Sequence, residues 1–108
     1  MIDEIKKIAI IGGTGKEGKG LAYKWSQADY EILIGSRTLE KAQIAADLIN
    51  QMVGKNNVTG LTNSDAVREA DICVLTVPFS AHKDMLHQMK EDLKNKLLID
   101  VTVPLVPP

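Results

Sequence analysis

Apolar residues recur along this chain in two rhythms. Ile8-Ala9-Ile10-Ile11, Glu31-Ile32-Leu33-Ile34-Gly35 and Ile72-Cys73-Val74-Leu75-Thr76-Val77 are short runs, and continuous runs of this kind suit strands covered on both faces. Between them the spacing turns helical. Gly18, Leu21, Ala22 and Trp25 fall at i, i+3, i+4 and i+7 and predict a helix ending near Gln27. Leu39, Ala42, Ala46, Ile49 and Val53 form one stripe of a second helix, with Thr38 as N-cap and Gly54 closing it in the C′ role. Val58 to Leu61 reads as a short strand, and Asn63 or Ser64 caps a brief helix through Glu69. A further helix runs from about Ser80 to Leu93, with Met85, Leu86, Met89 and Leu93 as its buried stripe. Leu97-Leu98-Ile99-Asp100-Val101 is the last strand, before the proline-rich Val103-Pro104-Leu105-Val106-Pro107-Pro108.

Strands that alternate with helices of about 10–15 residues imply right-handed crossovers and a parallel sheet. The expected fold is therefore α/β, a Rossmann-like doubly wound parallel sheet of strand order 3-2-1-4-5. Its ligand would sit at the switch point beside the first strand.

Composition narrows the function classes. The chain has 108 residues, 44% hydrophobic and 25% charged, which suits one soluble domain. A net charge of −1 with scattered lysines points to neither nucleic acid nor an anionic membrane surface. No apolar stretch approaches the roughly 18 residues that span a bilayer. Met1-Ile2-Asp3-Glu4-Ile5-Lys6-Lys7 lacks a signal-peptide core. A single cysteine, Cys73, excludes an internal disulfide and suits a reducing, cytoplasmic setting. Cys73 lies inside an apolar run and reads as a buried structural thiol. His82 and His87 do not share a face of their expected helix, and no Cys or carboxylate set completes a metal site.

The chemistry is carried by Gly12-Gly13-Thr14-Gly15-Lys16-Glu17-Gly18-Lys19-Gly20. Gly13, Gly15 and Gly18 make G-x-G-x-x-G directly after a strand and at the opening of a helix, the context a dinucleotide-binding fingerprint requires. Gly13 permits the tight turn, Gly15 lets the backbone approach a pyrophosphate, and Gly18 allows close helix-on-strand packing. The helix N-terminus then faces the phosphates with free N–H groups and a positive dipole end.

Cofactor choice is read at the end of the second strand. An NAD site tends to carry Asp or Glu there, whereas this chain has Gly35-Ser36-Arg37 with Lys41 beyond. A carboxylate would repel the 2′-phosphate of NADP. A hydroxyl, a guanidinium fork and an ammonium favour it, through charge-assisted bonds of about 1.5–3 kcal/mol each.

Ile11-Gly12-Gly13-Thr14-Gly15, Gly18-Lys19-Gly20-Leu21-Ala22, Gly35-Ser36-Arg37 with Lys41, and Pro104-Leu105-Val106-Pro107 together resemble the NADPH-dependent coenzyme F420 reductases. Those enzymes pass hydride between NADP and an 8-hydroxy-5-deazaflavin. The resemblance implies that Thr14, Gly15, Lys16 and Glu17 wrap the pyrophosphate and that Ser36, Arg37 and Lys41 hold the 2′-phosphate. It implies also that Val77, ending the fourth strand, lines the cofactor. Glu17 can alternatively cap its own helix. Pro78 is followed by Phe79-Ser80-Ala81-His82, which lacks the family's acid and carries the histidine one place later. Two extra residues also precede Pro104-Leu105.

The family continues into a smaller C-terminal domain that helps hold the deazaflavin. The expectation is therefore that residues 1–108 are an NADP-binding domain without that acceptor domain. The partners are small molecules, coenzyme F420 is the hydride partner implied by the resemblance, and a homodimer is left open. Hydride transfer between two such cofactors needs orientation and exclusion of water more than side-chain acids or bases, so no general acid or base is named. Two other functions remain open at this stage: a non-enzymatic NADP-binding module, and an NADPH-linked reductase of another flavin, quinone or metal acceptor.

Overall fold

A computed structural model describes residues 7–76, His87 and the strand 97–100. Strands β1 (Lys7–Ile11), β2 (Glu31–Ser36), β3 (Val58–Thr62), β4 (Ile72–Leu75) and β5 (Leu97–Asp100) alternate with helices α1 (Lys16–Gln27), α2 (Leu39–Val53) and α3 (Asn63–Glu69). The strands form one parallel sheet in the order β3-β2-β1-β4-β5, as the alternating pattern predicts. The expected helix from Ser80 to Leu93, Val77 and the proline-rich end lie outside the described residues.

The sheet separates two apolar layers because successive residues of each strand face opposite sides. Ile8, Ile10, Ile32, Ile34, Val58 and Val74 pack with Ala22 of α1 and with Ala42, Ala45, Ala46 and Ile49 of α2. Ala9, Ile11, Leu33, Cys73 and Leu75 face the other way, toward Ala66 and Val67 of α3 and the adjoining Ala70. In β1, Ile10 is paired with Ile34 on one side and Val74 on the other. All three are fully buried, each side chain contributing about 1.5–3 kcal/mol.

Small residues set how closely the helices approach. On α1 the buried line is Gly18, Ala22 and Ser26, while Leu21 and Trp25 flank it half-buried. On α2, Ala42, Ala46 and Ile49 are buried as expected and Val53 partly so, but Leu39 is 44% exposed. Ala45 completes the buried face, which runs Ala42, Ala45, Ala46, Ile49 at i, i+3, i+4 and i+7. Gly60 of β3 lies under α2, and a Cβ there would overlap the backbone of Ala42.

Helix ends follow local chemistry. Gly54 closes α2 at φ 70° and its N–H bonds the Asn50 carbonyl at 2.9 Å, the left-handed termination that glycine favours. At α3 the cap is Thr62, whose Oγ1 accepts the Asp65 N–H at 3.3 Å. The expected caps, Asn63 and Ser64, already belong to the helix. Asn63 thereby has its side chain available for another task.

Candidate functional site

The strand C-termini converge on the loop from Gly12 to Gly15. Gly12 adopts φ 72°, so the left-handed turn is made one residue before the position the glycine pattern suggested. Gly13 instead answers to a close approach. It is buried, and a Cβ there would stand 2.8 Å from the Ile10 carbonyl oxygen and 3.1 Å from Ile34 Cγ2. Its N–H donates to the Gly35 carbonyl at 2.9 Å, which joins the loop to the end of β2. Gly18 packs on the loop rather than on a strand: its Cβ would lie 2.6 Å from Gly13 Cα.

Gly15 differs from both. It is exposed, and among the described residues a Cβ there would meet nothing nearer than the Gly12 carbonyl oxygen at 3.9 Å. Gly15 is the N-cap of α1 at φ −76° and ψ 170°, with no side chain capping the helix. The first intrahelical bond runs from the Lys19 N–H to the Gly15 carbonyl at 3.0 Å. The N–H groups of Lys16, Glu17 and Gly18 are thus the orphan donors of a helix start. Glu17 is an exposed first-turn acid that does not cap the helix; Lys16 is exposed and Thr14 half-buried.

Ser36 ends β2, 7% exposed, and its Oγ accepts the Thr38 N–H at 3.2 Å. That bond turns the chain into α2 and leaves the hydroxyl proton for another acceptor. Arg37 and Lys41 follow, both exposed, their side chains making no hydrogen bond or ion pair among the described residues. The structure brings the loop from Gly12 to Gly15 and the start of α1 beside Ser36 through the Gly13–Gly35 bond, with Arg37 next in sequence and Lys41 in the first turn of α2. An anion at the start of α1 would meet backbone donors and the positive dipole end, with Glu17 exposed beside it, and a second near α2 would meet Arg37 and Lys41, with Glu40 between them in sequence.

Two side chains that no motif pointed to hold this loop. Asn63 Oδ1 accepts the Gly12 N–H at 3.3 Å, and Thr76 Oγ1 lies 3.0 Å from the Ile11 carbonyl oxygen and 3.3 Å from that of Gly12. Their sequence distances of 51, 65 and 64 residues put them beyond any local pattern. The remaining candidates are inert in this arrangement. Cys73 is buried, His87 is exposed, and no cluster of potential metal ligands occurs among the described residues. No described helix is long and apolar enough to cross a membrane.

A parallel sheet of order 3-2-1-4-5 with a glycine loop at its switch point defines a Rossmann-type α/β protein. Solved structures agree on the fold. A lactate dehydrogenase from Cryptosporidium parvum, complexed with lactic acid and nicotinamide adenine dinucleotide, superposes with a TM-score of 0.76 at 21% identity, covering 92% of this chain and 38% of that one. A protein assigned as an F420-dependent NADP-reductase from Arthrobacter sp. FB24 gives 0.71 at 22% identity, over 91% of this chain and 44% of the other. Residues 7–104 match the family described as NADP oxidoreductase, coenzyme F420-dependent, and the chain belongs to that family. It is 44% identical to the F420-dependent NADP reductase of Methanothermobacter thermautotrophicus over 94% of this chain and 44% of the relative. With the reductase of the same name from Methanocaldococcus jannaschii the identity is 40%, over 92% of this chain and 46% of the relative. The chain thus spans less than half the length of these relatives.

Proposed function

We propose that this chain is the NADP-binding domain of an NADPH:coenzyme F420 oxidoreductase, a small-molecule enzyme that exchanges hydride between NADP(H) and a deazaflavin. The observation that carries the reading is the open start of α1. Gly15 presents exposed backbone that no other described residue crowds, where the N–H groups of Lys16, Glu17 and Gly18 can receive a pyrophosphate. The names of the relatives support the choice of both cofactors.

The residues present fit the nucleotide. Gly13, Thr14, Gly15, Lys16 and Glu17 would surround the pyrophosphate. Ser36 would donate its remaining proton to the 2′-phosphate, with Arg37 as a bidentate fork and Lys41 as a point charge. Val77, which follows Thr76 in sequence, would line the cofactor. Bound there, the nicotinamide supplies the hydride chemistry, and the chain's part is to orient it and keep water out. No side chain is assigned as acid or base. A reducing, cytoplasmic setting goes with this reading, supported by the buried Cys73.

A calorimetric titration with NADPH and NADH tests the nucleotide half of the proposal. NADPH is expected to bind at least about tenfold more tightly, a difference of about 1.4 kcal/mol. Equal affinities would refute it. Following NADPH absorbance with a deazaflavin acceptor tests the other half on the full-length protein.

A further inference from the structure

Gly12 is gripped on both of its backbone polar groups by buried side chains from elsewhere in the chain. Its N–H donates to Asn63 Oδ1 at 3.3 Å, and its carbonyl lies 3.3 Å from Thr76 Oγ1, whose proton is shared with the Ile11 carbonyl at 3.0 Å. Asn63 comes from the β3–α3 junction and is 9% exposed; Thr76 follows β4 and is 7% exposed. Gly12 is also where the loop turns left-handed. A glycine free of such bonds samples many conformations, and the one selected here decides where the orphan N–H groups of α1 are aimed.

We propose that Asn63 and Thr76 are positioning residues for the dinucleotide, holding Gly12 so that the pyrophosphate meets a preformed loop. The inference rests on the NADP reading above, and neither side chain has to touch the nucleotide. Gly35 is consistent with this role. A Cβ on Gly35 would stand 2.7 Å from Asn63 Oδ1 and 3.2 Å from Asn63 Cα, so the glycine ahead of Ser36 is what lets Asn63 pass to Gly12. Ligand-binding loops that are ordered before the ligand arrives spare it the ordering cost. Asn63 and Thr76 therefore act on affinity through the pyrophosphate and leave the 2′-phosphate contacts of Ser36, Arg37 and Lys41 alone.

The test compares two ligands. NADPH carries the pyrophosphate; adenosine 2′-monophosphate lacks it and reports on the α2 side. Asn63→Ala and Thr76→Val are each expected to weaken NADPH about tenfold, about 1.4 kcal/mol, with adenosine 2′-monophosphate changed less than about twofold. Thr76→Ser, which keeps the hydroxyl, is expected to restore NADPH binding. The double variant is expected to lose less than the product of the two single losses, since both side chains hold one residue. Calorimetry suits NADPH and NMR titration the weaker ligand, with thermal unfolding recorded for each variant. Should Asn63→Ala fail to fold, the Thr76→Val and Thr76→Ser pair still decides. Unchanged NADPH affinity in folded variants, or equal losses for both ligands, would assign the two residues a structural role only and overturn the inference. A wild-type chain that ignores NADPH would instead refute the NADP reading itself.

Discussion

Gly18 rests directly on Gly13: a Cβ on the helix residue would lie 2.6 Å from the loop residue's Cα and 2.9 Å from its carbonyl carbon. No rotation of a methyl group relieves a clash with backbone. Gly18→Ala is therefore expected to push α1 off the loop, at a cost of about 1–3 kcal/mol. Gly20, two residues on, is exposed, with nothing among the described residues within 4 Å of its would-be Cβ. Gly20→Ala should stabilise the fold by about 0.5–1 kcal/mol through helix propensity. Urea unfolding of both variants measures the two opposite signs.

Gly15→Val is expected to leave the fold intact, costing about 1 kcal/mol of stability as a poorer N-cap, and to abolish NADPH binding. The backbone of Gly15 is extended and open to any side chain. A valine there would occupy the space proposed for the pyrophosphate. Calorimetry together with a thermal scan checks both halves, and normal binding by the variant would reduce the loop to a structural turn.

Arg37→Ala and Lys41→Ala should weaken NADPH and leave NADH unchanged, because NADH has no 2′-phosphate for them to meet. Both side chains are exposed, so solvent screening limits each loss to about 1 kcal/mol, roughly fivefold in affinity. The NADPH advantage should also shrink as salt rises from low to high ionic strength. Parallel titrations with the two nucleotides at two salt concentrations test this.

The edge strand has its own safeguard. Asn50 of α2 donates from Nδ2 to the Val58 carbonyl at 2.9 Å and accepts the Val58 N–H on Oδ1 at 3.1 Å. It satisfies both backbone groups of the first β3 residue, whose strand neighbour among the described residues is β2 alone. Asn50→Leu should cost about 1–3 kcal/mol, since both partners become unsatisfied at a part-buried edge. An increased tendency to associate, measured by light scattering, should accompany it.

Much of this architecture was legible in local pattern. Apolar runs marked β1, β2 and β4, four-residue spacing marked α1 and α2, and Gly54 marked the end of α2. What the pattern missed depends on contacts distant in sequence. Thr62 took the cap of α3, since its hydroxyl reaches the Asp65 N–H while the Asn63 side chain is drawn inward by Gly12. The left-handed turn fell on Gly12, while Gly13 answers to the close approach of Ile10 and Ile34. Thr76 reads as the last part of an apolar strand, yet β4 ends at Leu75 and the threonine bonds the loop. The fingerprint glycines and the Ser36-Arg37-Lys41 group were visible because each depends on residue type at a short spacing. The clamp on Gly12 was not, because nothing local distinguishes its two members from any buried Asn or Thr.

Gly60 and Ala42 give the nucleotide reading a consequence at a distance. With no side chain on the strand and only a methyl on the helix, α2 sits as low on the sheet as a helix can, its backbone touching β3. Lys41 is the residue immediately before that contact, in the first turn of α2, whereas Arg37 precedes the N-cap Thr38 and is not carried by the helix. The height of Lys41 above the end of β2 thus follows from the smallness of two buried residues. Enlarging either one would raise the helix and lift this cation. The reach of Lys41 is therefore a dimension of the sheet–helix spacing, adjustable from inside the core without altering a single exposed residue.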